Sequence, residues 1–134
     1  SAAKDRFTKS SIERVSKLDL NNISFSNEDF SSFIHKYIGR RDVFMFLDPP
    51  YYLEKKSKLY GNKGDMHENF NHNLLFTMLD SSICFINQWI MTYNNCKFIR
   101  DLYSDTSKYK IIDIDWSYGM NKSKESSEIV IIHS

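Results

Sequence analysis

The strongest structural signal in the sequence comes from Val43-Phe44-Met45-Phe46-Leu47-Asp48-Pro49-Pro50-Tyr51. Its apolar part, Val43–Leu47, predicts a short strand buried on both faces of a parallel sheet. Proline cannot continue a central strand, so we expect the strand to end at Asp48. Ligands of open α/β sheets bind beyond the carboxyl ends of such strands. Asp48–Tyr51 is therefore a candidate site, and the alternative is a Pro-rich turn that only ends the strand.

The rest of the sequence alternates between helix and strand signals. Apolar spacing and capping residues predict helices over Ser10–Leu18, Glu28–Ile38 (capped by Ser26 or Asn27), Asn71–Ser81 and Cys96–Tyr103. Short apolar or alternating runs predict strands over Asn22–Phe25, Gln88–Tyr93, Tyr109–Tyr118 and Glu128–His133. The polar connection between the last two strands favours an antiparallel hairpin at a sheet edge. We therefore predict an α/β fold with a mostly parallel sheet, helices on both faces and this C-terminal hairpin.

Length and composition indicate one globular domain, residues 1–134. The formal net charge of +1 excludes a polycation that binds nucleic acid through bulk electrostatics, so any basic surface must be local. The two cysteines, Cys84 and Cys96, lack a metal-type spacing and favour a reducing compartment over a disulfide framework. No apolar run reaches the roughly 18 residues of a membrane span and no signal peptide is recognised. We expect a soluble cytoplasmic protein with no membrane partner.

The residues Asp48–Tyr51 suit methyl transfer to an amine that is a poor nucleophile, such as the exocyclic amine of adenine. A carboxylate at Asp48 and the Pro49 carbonyl would accept the two hydrogens of that amine as positive charge grows on its nitrogen. Proline at this position rigidifies the backbone that aims the carbonyl. The aromatic ring of Tyr51 would give an extruded base a surface on which to stack.

The Asp-Pro-Pro-Tyr motif at Asp48–Tyr51 resembles the active-site motif of adenine-N6 DNA methyltransferases. Three further stretches resemble the Dam-like, D12-class branch of that family: Ser57–Asp65, Trp89–Asn94 and Trp116–Ser123. The resemblance spans about Ser11 to Ser134. It implies a Rossmann-like methyltransferase sheet, S-adenosylmethionine as cofactor, DNA as partner and substrate, flipping of the target base, and a role in restriction-modification.

The resemblance also assigns cofactor contacts. Asp29-Phe30 matches an Asp-Phe pair whose acidic side chain reaches the adenine end of S-adenosylmethionine, and Asp48 lies beside the cofactor as well. Pro50 belongs to the catalytic motif with Asp48, Pro49 and Tyr51. The alternative for Asp29 is a solvated acid in the first turn of a helix, where the helix dipole favours negative charge.

Candidate DNA contacts lie mainly in the polar segment Tyr52–Asn69, which we expect to be a long loop. Lysines interleaved with aromatic rings suit phosphate contacts and stacking, and these residues are Tyr52, Lys55, Lys56, Lys58, Tyr60 and Lys63. The resemblance adds Lys122 and Lys124 in the terminal hairpin. A solvated loop and a plain polar turn are the alternatives. We expect no metal site, because the spacing of His67 and His72 with nearby acids fits no common zinc pattern.

Two parts of such methyltransferases are not found in this sequence: a Phe-x-Gly-Gly-type loop that cradles the methionine end of the cofactor, and a target-recognition insertion. We therefore expect an incomplete catalytic domain, its carboxyl-terminal half, with an exposed apolar sheet edge or patch. The missing amino-terminal half or a second copy is the expected partner. Two alternatives stay open, namely methylation of cytosine N4 or protein glutamine by a related site, and a catalytically silent nucleic-acid-binding or subunit-interaction module.

Overall fold

The computed structural model describes residues 8–53, 70–81, 88–116 and 126–133. The helices are α1 (Lys9–Ser16), α2 (Phe30–Tyr37), α3 (His72–Asp80) and α4 (Lys97–Leu102). The strands are β1 (Phe44–Leu47), β2 (Gln88–Asn94), β3 (Tyr109–Trp116) and β4 (Ser126–His133). Each matches a predicted element to within a few residues. The predicted loop lies outside the described residues from position 54 to 69.

The described strands form one four-stranded sheet in the order β1-β2-β4-β3. β1 pairs with β2 in parallel, whereas β4 pairs antiparallel with both β2 and β3. The predicted hairpin at a sheet edge is therefore confirmed. The prediction of a mostly parallel sheet is not confirmed, since one of these three pairings is parallel. The connection from 117 to 125 is shorter than a parallel crossover requires, which explains the antiparallel return of β4.

One face of the sheet carries the hydrophobic core. Alternate residues of β2 point into it, and they are Trp89, Met91 and Tyr93. The core extends to both sheet edges through Met45 and Tyr109. Three helices cover this face with buried residues: Ile34 from α2, Leu75 and Leu79 from α3, and Ile99 from α4. Burial of each such side chain contributes about 1.5–3 kcal/mol, so this face holds the strands of the site in register.

The opposite face of β1 is open within the described part of the chain. Phe44 and Phe46 are 61% and 64% exposed, whereas Met45 between them is buried. The prediction that β1 is buried on both faces is therefore wrong for these residues, because a continuous apolar run does not require that both sides be covered. Helices on both faces are likewise not found among the described elements. The predicted exposed apolar patch is present at Phe44 and Phe46.

The segment before β1 differs from prediction at two points. Residues 22–25 form no strand and are exposed, with Phe25 at 80%. A four-residue run lacks stability as a strand without a neighbour to accept its hydrogen bonds. The cap of α2 is Asp29, not Ser26 or Asn27, and it accepts a hydrogen bond from the Ser31 backbone N–H at 2.9 Å. None of the helices in the described ranges is long and apolar enough to cross a membrane.

Candidate active site at the end of strand β1

Asp48 lies directly after β1, beside the neighbouring parallel strand. Leu47 pairs with Met91, so the next position along brings Asp48 next to Thr92. The Thr92 hydroxyl donates a hydrogen bond to Asp48 Oδ1 at 2.9 Å. Asp48 itself is exposed. The carboxylate is thus held from one side and open to a ligand on the other.

The two prolines that follow are half-buried and lead the chain away from the sheet. Their fixed φ angles reduce the freedom of the backbone between Asp48 and Tyr51. The Pro49 carbonyl therefore belongs to a stiff segment, as its proposed acceptor role requires.

Tyr51 is hydrogen-bonded to a residue of strand β4. Its hydroxyl donates a hydrogen bond to the carboxylate of Glu128, which lies 77 positions later in the sequence. Both side chains are half-buried. The ring of Tyr51 is therefore anchored at its hydroxyl end.

Tyr52 is held through its backbone by Asn94 at the end of β2. The Asn94 side-chain carbonyl accepts from the Tyr52 N–H at 2.9 Å, and the Asn94 amide donates to the Tyr52 carbonyl at 2.8 Å. The Tyr52 ring stacks on Phe98 of α4, with 4.1 Å between centroids and 17° between planes. Tyr52 thus has a structural role, and its DNA contact stays a prediction.

A buried histidine, His72, packs against Tyr52. His72 is 7% exposed, and its Nδ1 lies 2.7 Å from the Tyr93 hydroxyl. Its ring contacts the rings of Tyr52 and Phe70 edge-on, with centroid distances of 5.4 Å and 4.8 Å. His72 therefore belongs to an aromatic cluster under the motif, whereas His67 lies outside the described residues.

Asp29 and Phe30 lie at the start of α2. Hydrogen bonds donated by the Ser31 hydroxyl and backbone N–H hold the pKa of Asp29 below its usual range. The carboxylate is exposed, and the Phe30 ring packs on Phe70 at 4.6 Å. The alternative of a helix-start acid agrees with the observed N-cap. The cofactor contact of this pair stays a prediction.

Most of the predicted DNA contacts lie outside the described ranges, and these residues are Lys55, Lys56, Lys58, Tyr60, Lys63, Lys122 and Lys124. Cys84 is outside them too, and Cys96 is a free thiol.

Sequence reasoning missed three residues that hold the motif: Thr92, Asn94 and Glu128. Thr92 and Asn94 could have been found as polar residues at the carboxyl end of a strand next to β1. Glu128 carried no such signal, because its contact depends on which strand β4 joins.

Comparison with protein families gives one result for this chain. The model of the D12 class N6 adenine-specific DNA methyltransferase family matches residues 2–120. A comparison with curated proteins finds no significant match.

Proposed function

Since the chain belongs to the D12 class N6 adenine-specific DNA methyltransferase family, we propose that Asp48–Tyr51 binds and activates the target adenine for N6 methylation in DNA. The observation that carries this proposal is the Asp48 carboxylate. It is exposed at the carboxyl end of β1, and Thr92 holds one of its oxygens. Family membership makes this a site-specific DNA methyltransferase.

The acceptor chemistry follows from the position of Asp48 and Pro49. The carboxylate and the Pro49 carbonyl each accept a hydrogen bond from one N–H of the adenine amine. These bonds strengthen as positive charge grows on the nitrogen, so they favour the transition state over the ground state. No strong general base is needed, because methylation makes the nitrogen acidic.

The motif requires the target base to leave the double helix, since its amine cannot reach Asp48 while paired. The ring of Tyr51 provides a stacking surface for the flipped base, a contact worth about 1–3 kcal/mol. Lysines of the segment after Tyr52, together with Lys122 and Lys124, contact phosphates and keep the DNA in place.

The described residues suit S-adenosylmethionine as cofactor. Asp29 is exposed with a lowered pKa, so it is an ionised acceptor for the adenine amine or ribose hydroxyls of a nucleoside. Asp29, Phe30 and Asp48 would hold the cofactor. When bound, it supplies an electrophilic methyl group on a sulfonium. No Phe-x-Gly-Gly loop for its methionine end is found in residues 1–134.

The test is transfer of labelled methyl from S-adenosylmethionine to mixed-sequence duplex DNA, followed by nucleoside analysis. Label in N6-methyladenine is expected, and Asp48→Ala should lower the rate by about 10²–10³ because it removes a transition-state contact. Asp42→Ala is the control, since this exposed acid pairs with Arg40 before β1.

Three results would argue against the proposal. Methyl transfer by Asp48→Ala at a rate within tenfold of the parent would exclude Asp48 as the acceptor of the amine hydrogen bond. Label on cytosine N4, or on glutamine when a protein replaces DNA as the acceptor, would indicate one of the related methylation reactions instead. DNA binding without methyl transfer, even after addition of a polypeptide that carries the glycine-rich loop, would indicate a silent binding module.

A further inference from the structure

We propose that Glu128 is a positioning residue that orients the Tyr51 ring for stacking on the flipped base. This inference rests on the proposed function of Tyr51. The Tyr51 hydroxyl donates to Glu128 Oε1, and both side chains are half-buried. A hydrogen bond to a charged acceptor is roughly twice as strong as one between neutral groups.

The hydrogen bond is made by the hydroxyl, the atom of the Tyr51 side chain that lies farthest from the backbone. Rotation of the tyrosine side chain about the Cα–Cβ bond moves the hydroxyl, so a hydrogen bond there restricts this rotation. Rotation about the Cβ–Cγ bond leaves the hydroxyl oxygen in place, and the acceptor restricts it because the phenolic O–H prefers to lie in the plane of the ring. A stacking surface contributes most when its orientation is set before the base arrives, since the cost of ordering it has already been met. Glu128 therefore acts on the base through Tyr51.

The backbone of Glu128 is itself fixed by the sheet. Glu128 pairs with Asn94 across β2 and β4. Asn94 in turn holds the backbone of Tyr52 through two hydrogen bonds. One pair of facing residues, Asn94 and Glu128, thus anchors the two consecutive tyrosines at the end of the motif.

Charge argues against a direct DNA contact for Glu128. A carboxylate near a bound duplex repels its phosphates, so a neutral side chain would serve DNA binding better. Among the described residues, the partner found for the Glu128 carboxylate is Tyr51, and no Lys or Arg pairs with it. The acceptor strength of the carboxylate, directed at Tyr51, accounts for an acid at this position.

The test measures binding of a single-stranded oligo-dA probe, which reports stacking without methyl transfer. Tyr51→Phe and Glu128→Ala both keep the stacking ring, so each is expected to weaken binding by a similar amount, at most the roughly tenfold that corresponds to loss of one stacked base. The double variant should lose no more than either single variant. Glu128→Gln keeps an acceptor oxygen and should bind within about threefold of the parent.

Two controls separate positioning from charge and from folding. Glu13→Ala removes the same charge from an exposed position on α1, so it should leave oligo-dA binding unchanged or slightly tighter. In the parent, ¹³C-tyrosine NMR should show a hydrogen-bonded hydroxyl that is absent in Tyr51→Phe, lost in Glu128→Ala and kept in Glu128→Gln.

Additive losses in the double variant would mean that Glu128 contacts the base itself, and unchanged binding in Glu128→Ala would remove its role. Equal losses in Glu128→Gln and Glu128→Ala would make the charge the active feature. These results do not depend on Asp48, so failure of this inference and failure of the proposed reaction are distinguishable.

Discussion

The Thr92 hydroxyl and the Asp48 carboxylate form a hydrogen bond of 2.9 Å between the ends of two adjacent parallel strands. Asp48 follows its strand, whereas Thr92 still lies within β2. The donor therefore lies on regular strand backbone and the acceptor on the proposed substrate-binding segment. In the proposed reaction, such a bond orients the carboxylate before the target amine binds.

Thr92→Val should lower kcat for methyl transfer by about tenfold, because the carboxylate loses one orienting donor of about 1.4 kcal/mol. KM for DNA should change little, since Thr92 acts through Asp48. Thr92→Ser keeps the hydroxyl and is expected to stay within about threefold of the parent. Steady-state kinetics of labelled methyl transfer provide the comparison. Equal losses in both variants would assign the effect to packing.

Two buried tyrosines should respond oppositely to loss of the hydroxyl. The Tyr93 hydroxyl lies 2.7 Å from His72 Nδ1, whereas the buried Tyr103 hydroxyl has no hydrogen-bond partner within the described residues. Burial raises the pKa of both phenols, so both are neutral. Tyr93→Phe should lower the free energy of unfolding by about 1–3 kcal/mol, and Tyr103→Phe should leave it unchanged or raise it. Urea denaturation at constant m-value measures both. A larger loss for Tyr103→Phe would show that its hydroxyl has a partner.

The free energy of unfolding should fall at acid pH, partly because Asp80 becomes protonated. The hydrogen bond donated by Tyr109, with a smaller contribution from Lys108 at 3.1 Å, holds the Asp80 pKa below its ordinary value of 3.8. The unfolded chain therefore takes up this proton first as pH falls. The contribution is fully present above pH 3.8 and is lost as pH falls through the lower pKa of the folded state.

Asp80→Asn should therefore flatten the dependence of unfolding free energy on pH below 3.8. Tyr109→Phe should flatten it too, because it removes the main cause of the shift while keeping the ring. Denaturation at a series of acid pH values tests both variants. An unchanged slope in Tyr109→Phe would contradict the assigned cause.

The exposed face of β1 should promote self-association. Phe44 and Phe46 are both more than half exposed on an edge strand of the described sheet. Exposed apolar patches and open strand edges favour association. Phe44→Ser with Phe46→Ser should shift sedimentation toward the monomer. Phe25→Ser, at 80% exposure but outside the sheet, is the matched control and should have no effect. An equal shift in this control would locate the association elsewhere.

The sequence predicted β1 and the position of Asp48 because both depend on local signals, an apolar run and two prolines. It did not predict the anchoring of Tyr51, since that contact joins residues 77 positions apart and depends on strand order. The predicted strand at Asn22–Phe25 failed for a related reason. Four residues with strand propensity do not form a strand unless another strand lies beside them to pair with. Propensity does not indicate whether such a strand is present.

The order of the strands also has a consequence for protein synthesis. β4 leaves the ribosome after β2 and β3, yet it lies between them in the sheet. Until residues 126–133 emerge, Asn94 lacks its facing residue and Tyr51 lacks the hydrogen bond to Glu128. A nascent chain therefore carries the whole motif before Glu128 can bind the Tyr51 hydroxyl. Translation that stops before residue 126 would yield a product that keeps the motif, Thr92 and Asn94 but lacks the contact between Glu128 and Tyr51.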